Sequence, residues 1–183
     1  MSMRIIAGKY RHRHLTYPEN NPKIRPTKDR IREAFFSSLG DIEGLCFLDL
    51  YAGCGAMGIE AISRGAAISY FVDNNYESVN YVKENLKSLD IRNAEVFYLD
   101  DFAALEKFKD NHLKFDIIYI DPPYESGKYE EVLAYIFNND LINNNFVIAL
   151  ESQREVTIDS KWNLKIKEYH YGEIRVITLR KSL

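Results

Sequence analysis

The chain has 183 residues, 46% of them apolar and 28% charged, with a formal net charge of −3. One hydrophobic core suffices at that length, and this apolar fraction can fill it, so a single domain over residues 1–183 is expected. No stretch approaches the roughly 18 apolar residues of a membrane span, and the N-terminus lacks the apolar core of a signal peptide.

The two cysteines, Cys46 and Cys54, have no Cys-x-x-Cys or Cys/His ligand spacing. They point to a reducing, cytoplasmic setting rather than to a metal, and no metal is expected. The net charge averages a sharp asymmetry. Residues 1–32 hold nine Lys or Arg against two acids, +7, which leaves the remainder at −10. A local basic surface is the footprint of phosphate binding and weighs more than the total.

In chain order, residues 1–26 read as a basic β-hairpin extension. Ile5-Ile6 anchors its first run, Arg11, Arg13 and Leu15 alternate with His12 and His14, and Arg4, Lys9, Arg11 and Arg13 are candidate RNA contacts. The two histidines read as surface residues, since nothing nearby completes a metal site. A helix follows from Thr27, the expected N-cap, to Leu39, with an apolar stripe of Ile31, Ala34, Phe35 and Leu39 and a stop at Gly40. Strands are expected at about 45–50, 68–72, 94–98, 115–120 and 145–150, and helices near 56–64, 75–89, 101–109 and 128–138. Alternation of this kind predicts an α/β fold with a parallel sheet covered on both faces. Asn143-Asn-Asn145 reads as a loop. Residues 164–171 and 173–179 alternate apolar and polar around Gly172, which predicts a closing antiparallel hairpin.

Two constellations carry chemistry. Phe47-Leu-Asp-Leu-Tyr-Ala-Gly-Cys-Gly-Ala-Met-Gly58 is an apolar strand, a glycine-rich turn and a helix start, with Gly53, Gly55 and Gly58 spaced as G-x-G-x-x-G. A dinucleotide site or a plain strand-to-helix turn fits that spacing too. Asp49, just before the glycines, would repel a pyrophosphate but suits a cation. Asp73, twenty residues after Gly53, suits ribose hydroxyls, although an acid there can equally cap the segment Asn74-Asn75. A positively charged nucleoside satisfies both acids, and S-adenosylmethionine is one.

The second constellation, Asp121-Pro122-Pro123-Tyr124, closes the apolar run from Phe115 to Ile120. An exocyclic amine on a nucleobase is a poor nucleophile because its lone pair is delocalised. Asp121 and the Pro122 carbonyl, fixed by restricted backbone, are two acceptors that can localise that pair, and Tyr124 can stack on the base for about 1 to 3 kcal/mol. Asp-Pro-Pro is also an ordinary turn. With the acids at 49, 73, 100 and 121 all ending expected strands, one rim gathers four carboxylates where ligands of open parallel sheets bind.

Taken in order, the segments Arg4-Ile-Ile-Ala-Gly-Lys-Tyr10, Arg25-Pro-Thr-Lys-Asp-Arg-Ile-Arg-Glu33, Leu48 to Gly58 with Ser63-Arg-Gly-Ala66, and Phe115 to Tyr124 resemble the bacterial 16S ribosomal RNA guanine-N2 methyltransferases of the RsmD type, over residues 3 to about 180. Tyr51, Cys54 and Met57 stand where that family usually has Phe, Ser and Leu, changes that keep size and turn chemistry. The resemblance implies a class I, Rossmann-like methyltransferase core over residues 27–183, with one strand inserted antiparallel at the sheet edge. S-adenosylmethionine would be the donor, and 16S rRNA or the assembling small subunit the partner of a monomeric enzyme.

It further implies Asp73 on the ribose, Asp100 on the adenine amino group with Asp101 a near competitor, Asp49 near the methionine end, and Arg25, Thr27, Arg30 and Arg32 in RNA binding and organisation of the site. Arg32 and Glu33 also read as a plain surface pair. The expected reaction is direct displacement, with the guanine amine held by Asp121 and the Pro122 carbonyl. A DNA adenine or cytosine amino methyltransferase would use the same loop, but no insertion for a target-recognition domain is evident. A non-catalytic RNA-binding assembly protein would not need the acids around the glycine loop.

Overall fold

The computed structural model describes residues 3–18, 29–123 and 127–182. The N-terminal pair is β1 (Met3–Arg4) and β2 (His14–Leu15), followed by α1 (Asp29–Leu39). Then come β3 (Cys46–Asp49), α2 (Ala56–Ser63), β4 (Ile68–Asp73), α3 (Tyr76–Ser88), β5 (Ala94–Tyr98), α4 (Asp101–Asp110), β6 (Phe115–Ile120) and α5 (Tyr129–Asn138). The chain ends with β7 (Ile142–Ser152), β8 (Leu164–Tyr171) and β9 (Ile174–Lys181).

The large sheet runs β5-β4-β3-β6-β7-β9-β8. Its first five strands are parallel, and β9 lies antiparallel between β7 and β8, which makes β8 the outer edge. The central strands β3 and β6 are buried on both faces, which is why they read as continuous apolar runs rather than alternating ones. One face packs α4 and α5 through Leu105, Phe108, Leu133 and Ile136. The other carries α1 and α2 on Phe47, Ile117 and Tyr119, and then α3 with the N-terminal arm on Phe71. No helix among the described residues is long and apolar enough to cross a membrane.

Asn143-Asn-Asn145, expected as a loop, belongs to β7. The three residues of β6 from Phe115 to Ile117 face six of β7, from Ile142 to Val147, so the asparagines occupy a bulge, with Asn143 donating to Asp116 Oδ1 at 2.7 Å. The arm differs from expectation as well. Only His14–Leu15 pairs with Met3–Arg4, while residues 7–12 form bends and turns in which Gly8 (φ 83°) and His12 (φ 68°) are left-handed. Arg13 O still accepts from Ile5 N at 2.9 Å, next to the strand pair, whereas Arg11 lies in the turn, and both side chains are exposed. The expected cap Thr27 and the neighbouring Arg25 lie outside the described residues.

Candidate active site

β3 delivers Asp49 to the carboxyl edge of the sheet and the chain then turns tightly into α2. Gly55 N donates to Ala52 O at 2.8 Å, and Gly53 (φ 55°) and Gly55 (φ 86°) take the left-handed conformation that favours glycine. Gly58 is required for a different reason. A Cβ there would lie 2.3 Å from Phe71 Cε1, so only glycine lets α2 settle on β4. Asp49 is 2% exposed and its Oδ2 accepts from Gly58 N at 3.1 Å, which pins the first turn of α2. Burial, helped by the neighbouring Asp73 charge and opposed by that hydrogen bond, lifts its pKa to about 7.

Asp73 ends β4 and works as a clasp. Its Oδ2 accepts from Gly53 N and its Oδ1 from Asn75 N, both at 2.8 Å, so it ties the glycine loop to the entrance of α3. Asn75 rather than Asp73 is the helix cap, accepting from Ser78 N at 3.1 Å. Burial raises the Asp73 pKa. The Ser78 hydroxyl donates to the same carboxylate, which leaves it one lone pair for a ligand donor.

Beyond β5 the two adjacent acids divide. Asp100 is exposed and caps α4 through Ala103 N at 2.9 Å. Asp101 is 7% exposed and engaged by Tyr51 OH at 2.7 Å and Phe102 N at 2.9 Å, with Lys128 Nζ at 3.7 Å. Asp100 is thus the acid of the two with an open side.

Asp121 follows β6 and is partly exposed, Pro122 is buried and Pro123 exposed; Tyr124 lies outside the described residues. The Asp121 pKa stands well above the usual carboxylate range, first from burial and then from the charges of Glu151 and Asp49. The pairing of Asp49 with Tyr119, two residues before Asp121, sets the Asp-Pro-Pro loop beside the glycine loop. Glu151 was not singled out from the sequence. It ends the apolar run from Phe146 to Leu150 as the aspartates end theirs, and that shared position is the signal that could have found it. It is 3% exposed, its Oε2 accepts from Tyr119 OH at 2.6 Å, and its carbonyl accepts from the buried Tyr129 OH at 2.8 Å. The donor set therefore fits a cation: the neighbours that act on Asp121 and Asp49 are themselves acids, and a positive ligand would relieve both.

The expected RNA contacts separate into two groups. Arg4, Lys9, Arg11, Arg13 and Arg30 are exposed, although Arg13 Nη2 also reaches Ser88 O at 3.3 Å. Arg32 is not a surface residue. It is 0% exposed, donates through Nη2 to Arg4 O at 2.6 Å and Asp29 Oδ1 at 2.9 Å, and lies 3.7 Å from Glu60, also 0% exposed. Its side chain supports the arm from inside and is closed to RNA. Glu60 completes the anchor by accepting from Ile6 N at 2.9 Å, Ala7 N at 3.0 Å and Arg64 Nε at 2.7 Å. Ser63 takes the next stretch: its carbonyl accepts from Lys9 N at 2.7 Å and its Oγ from Tyr10 N at 3.0 Å. Gly8 allows this approach, since a Cβ there would lie 1.7 Å from Ser63 O. Asn85 joins the arm to the glycine loop: it accepts from Thr16 N at 2.7 Å and donates to Thr16 O at 2.9 Å and Cys54 O at 3.0 Å.

Residues 3–180 match the family described as Conserved hypothetical protein 95. The Ribosomal RNA small subunit methyltransferase D of Escherichia coli (strain K12) is 33% identical over 167 residues, which span 88% of this chain and 82% of that protein. Among solved structures, a candidate methyltransferase of Escherichia coli, yhhF, superposes with a TM-score of 0.86 at 30% identity, covering 100% of both chains. The T. thermophilus 16S rRNA N2 G1207 methyltransferase RsmC, in complex with AdoMet and guanosine, superposes with a TM-score of 0.74 at 23% identity, covering 100% of this chain and 50% of that one, and shares the fold. The chain belongs to the Conserved hypothetical protein 95 family, the RsmD family of ribosomal RNA small subunit methyltransferases.

Proposed function

We propose that this chain methylates the exocyclic N2 amino group of a guanine in small-subunit ribosomal RNA, with S-adenosylmethionine as the methyl donor. The observation that carries the reading is the register of β3 against β6, which pairs Asp49 with Tyr119 and so sets the Asp121-Pro122 loop next to the glycine loop at the carboxyl edge of the sheet. The family supports the RNA class of substrate, and the shared fold of RsmC, an N2 guanine methyltransferase, supports the position on the base.

S-adenosylmethionine, when bound, supplies an electrophilic methyl on a sulfonium. The chain's own residues supply alignment, which can be worth roughly 7 to 11 kcal/mol in bringing two reactants together. Asp73 and Asp100 would take the hydroxyls and the adenine amine, and Asp49 the cationic end. Asp121, with the buried Pro122 behind it, would accept from the guanine amine and localise its lone pair, and the raised Asp121 pKa suits a carboxyl that takes up a proton as the amine becomes acidic. Tyr124 would stack on the base, which must be unpaired or flipped at a cost of a few kcal/mol. The exposed arm cations Arg4, Lys9, Arg11 and Arg13 would meet the RNA backbone, and Arg25 and Thr27 are further candidate contacts.

Replacing Asp121 with Ala tests the reading. Methyl transfer to small-subunit RNA should fall at least a hundredfold, the scale on which a positioned acid-base group contributes. Affinity for S-adenosylmethionine, measured by calorimetry, should stay within about threefold. Transfer within tenfold of the parent would refute the role.

A further inference from the structure

The C-terminal edge of the sheet carries a surface that this reaction leaves unused. β8 is the outermost strand, and its residues from Lys165 to His170 are all exposed. Lys165 pairs with Arg180, Lys167 with Thr178, Tyr169 with Val176 and Tyr171 with Ile174. Directly paired residues share a face. Two lysines, two tyrosines and an arginine therefore stand on one side of the edge, the side on which α1 packs: Ile31, Phe35 and Ser38 line a groove together with Tyr169 and Tyr171.

Cations close both ends of the groove. Arg30 of α1 lies 5.9 Å over the Tyr171 ring, and Arg180 donates to Ser38 O at 3.3 Å. Glu168, the acid of β8, stands on the opposite face, held at 3.0 Å by Arg175 and by His170.

Register fixes where this strip leads. Tyr169 shares a row with Val176 and Glu151, and Glu151 lies one residue beyond the pair of Leu150 with Ile120, at the level of Asp121. The tyrosine end thus opens on the rim of the candidate site, three interstrand steps or about 14 Å from the strand that bears Asp121. From there Lys167 and Lys165 lead away, alternate side chains about 6.7 Å apart.

We propose that this strip, from Tyr171 and Arg30 past Tyr169 to Lys167, Lys165 and Arg180, is a docking track for the single-stranded RNA that flanks the target nucleotide; the proposal rests on the functional reading above. Tyr169 is exposed and Tyr171 half-buried under Arg30; cations interleaved with an accessible ring hold phosphates and stack an unpaired base at once, and a double helix would leave the ring unused. Lysines on an edge strand also deter pairing with other chains, but that role requires neither a single face nor the tyrosines.

The test uses the full chain with Lys165, Lys167 and Tyr169 replaced together by Ala, and Ile166→Ala on the other face of the same strand as the control. Binding to protein-free small-subunit ribosomal RNA is measured by fluorescence anisotropy against salt, and S-adenosylmethionine binding by calorimetry. The triple variant should bind RNA about tenfold or more weakly, with a log-log salt slope lower by about 1.4 for two lost contacts to a single strand, and with parental cofactor affinity. Ile166→Ala should match the parent. Parental RNA affinity and slope in the triple variant overturn the track, as does an equal loss in Ile166→Ala. A loss seen only with assembled subunits overturns it in favour of a protein contact. A parent that binds RNA but transfers no methyl group to guanine, free or in assembled subunits, refutes the functional reading and leaves the track standing, whereas a parent that binds no protein-free RNA overturns the track, and methyl transfer to guanine in assembled subunits then upholds the functional reading.

Discussion

Asp49 is buried to 2% exposure and its pKa is lifted to about 7, so in the free protein the carboxyl is largely neutral through mildly acid pH. Unfolded, it ionises near pH 3.8. Between those values the native state holds a proton that the unfolded state releases, and the carboxyl's contribution to stability falls as pH rises through that window. A bound cation reverses the preference by favouring the charged form. Affinity for S-adenosylmethionine should therefore climb with pH, by up to about tenfold per unit below 7, and level off above it. Calorimetric titration from about pH 5.5 to 8 checks this, and Asp49→Asn should lose the climb; a parental profile as flat as that of the variant would remove Asp49 from the cationic end. The glycines and aspartates of this rim were legible in the sequence because each follows a short apolar run. Glu151 ends such a run too, but what gives it meaning is Tyr119 and Asp121 on the neighbouring strand, a relation that only the sheet register creates.

Among elements, the N-terminal arm departs most from its sequence reading. Alternation from Arg11 to Leu15 predicts a hairpin strand, and the antiparallel pairing is present but short: His14–Leu15 forms it, while left-handed Gly8 and His12 turn the chain at residues 7–12, and the backbone of residues 6–10 is received by Ser63 and Glu60. Those partners lie more than fifty residues away, outside the reach of local periodicity. Arg32 departs from expectation for the same reason: its charged neighbours Arg30 and Glu33 look like a solvated helix face, whereas the distant Arg4 carbonyl and Glu60, with Asp29, receive it in the interior. The asparagines at 143–145 read as a loop because polar runs end strands, whereas a bulge lets the strand continue through them. The remaining strands and helices agree with expectation to within a few residues, because continuous apolar runs and helical stripes are set by burial itself. Glu60→Gln tests the anchor. It keeps the side-chain shape but leaves the Arg32 charge without its buried partner, and breaking such a pair costs about 3 to 5 kcal/mol, a large share of the roughly 5 to 15 kcal/mol of a typical domain. Chemical denaturation should show that loss together with faster proteolysis within residues 3–18; a change below about 1 kcal/mol would mean that the arm is held by Ser63 and Asn85 alone.

Over the whole molecule, charge and topology point the same way. The exposed cations Arg4, Lys9, Arg11, Arg13 and Arg30 lie on the arm and α1, while the acids of the remainder include the rim where the parallel strands end. An anionic polymer is drawn to the first surface and a cationic small molecule to the second, and Asn85 bonds to the arm and the glycine loop at once. The most direct test is incubation with tritiated S-adenosylmethionine and small-subunit ribosomal RNA, free and in assembled subunits, followed by digestion to nucleosides. Label recovered as N2-methylguanosine at a single position is the predicted result; label on another base, on another atom of guanine, or on neither substrate despite cofactor binding would contradict it.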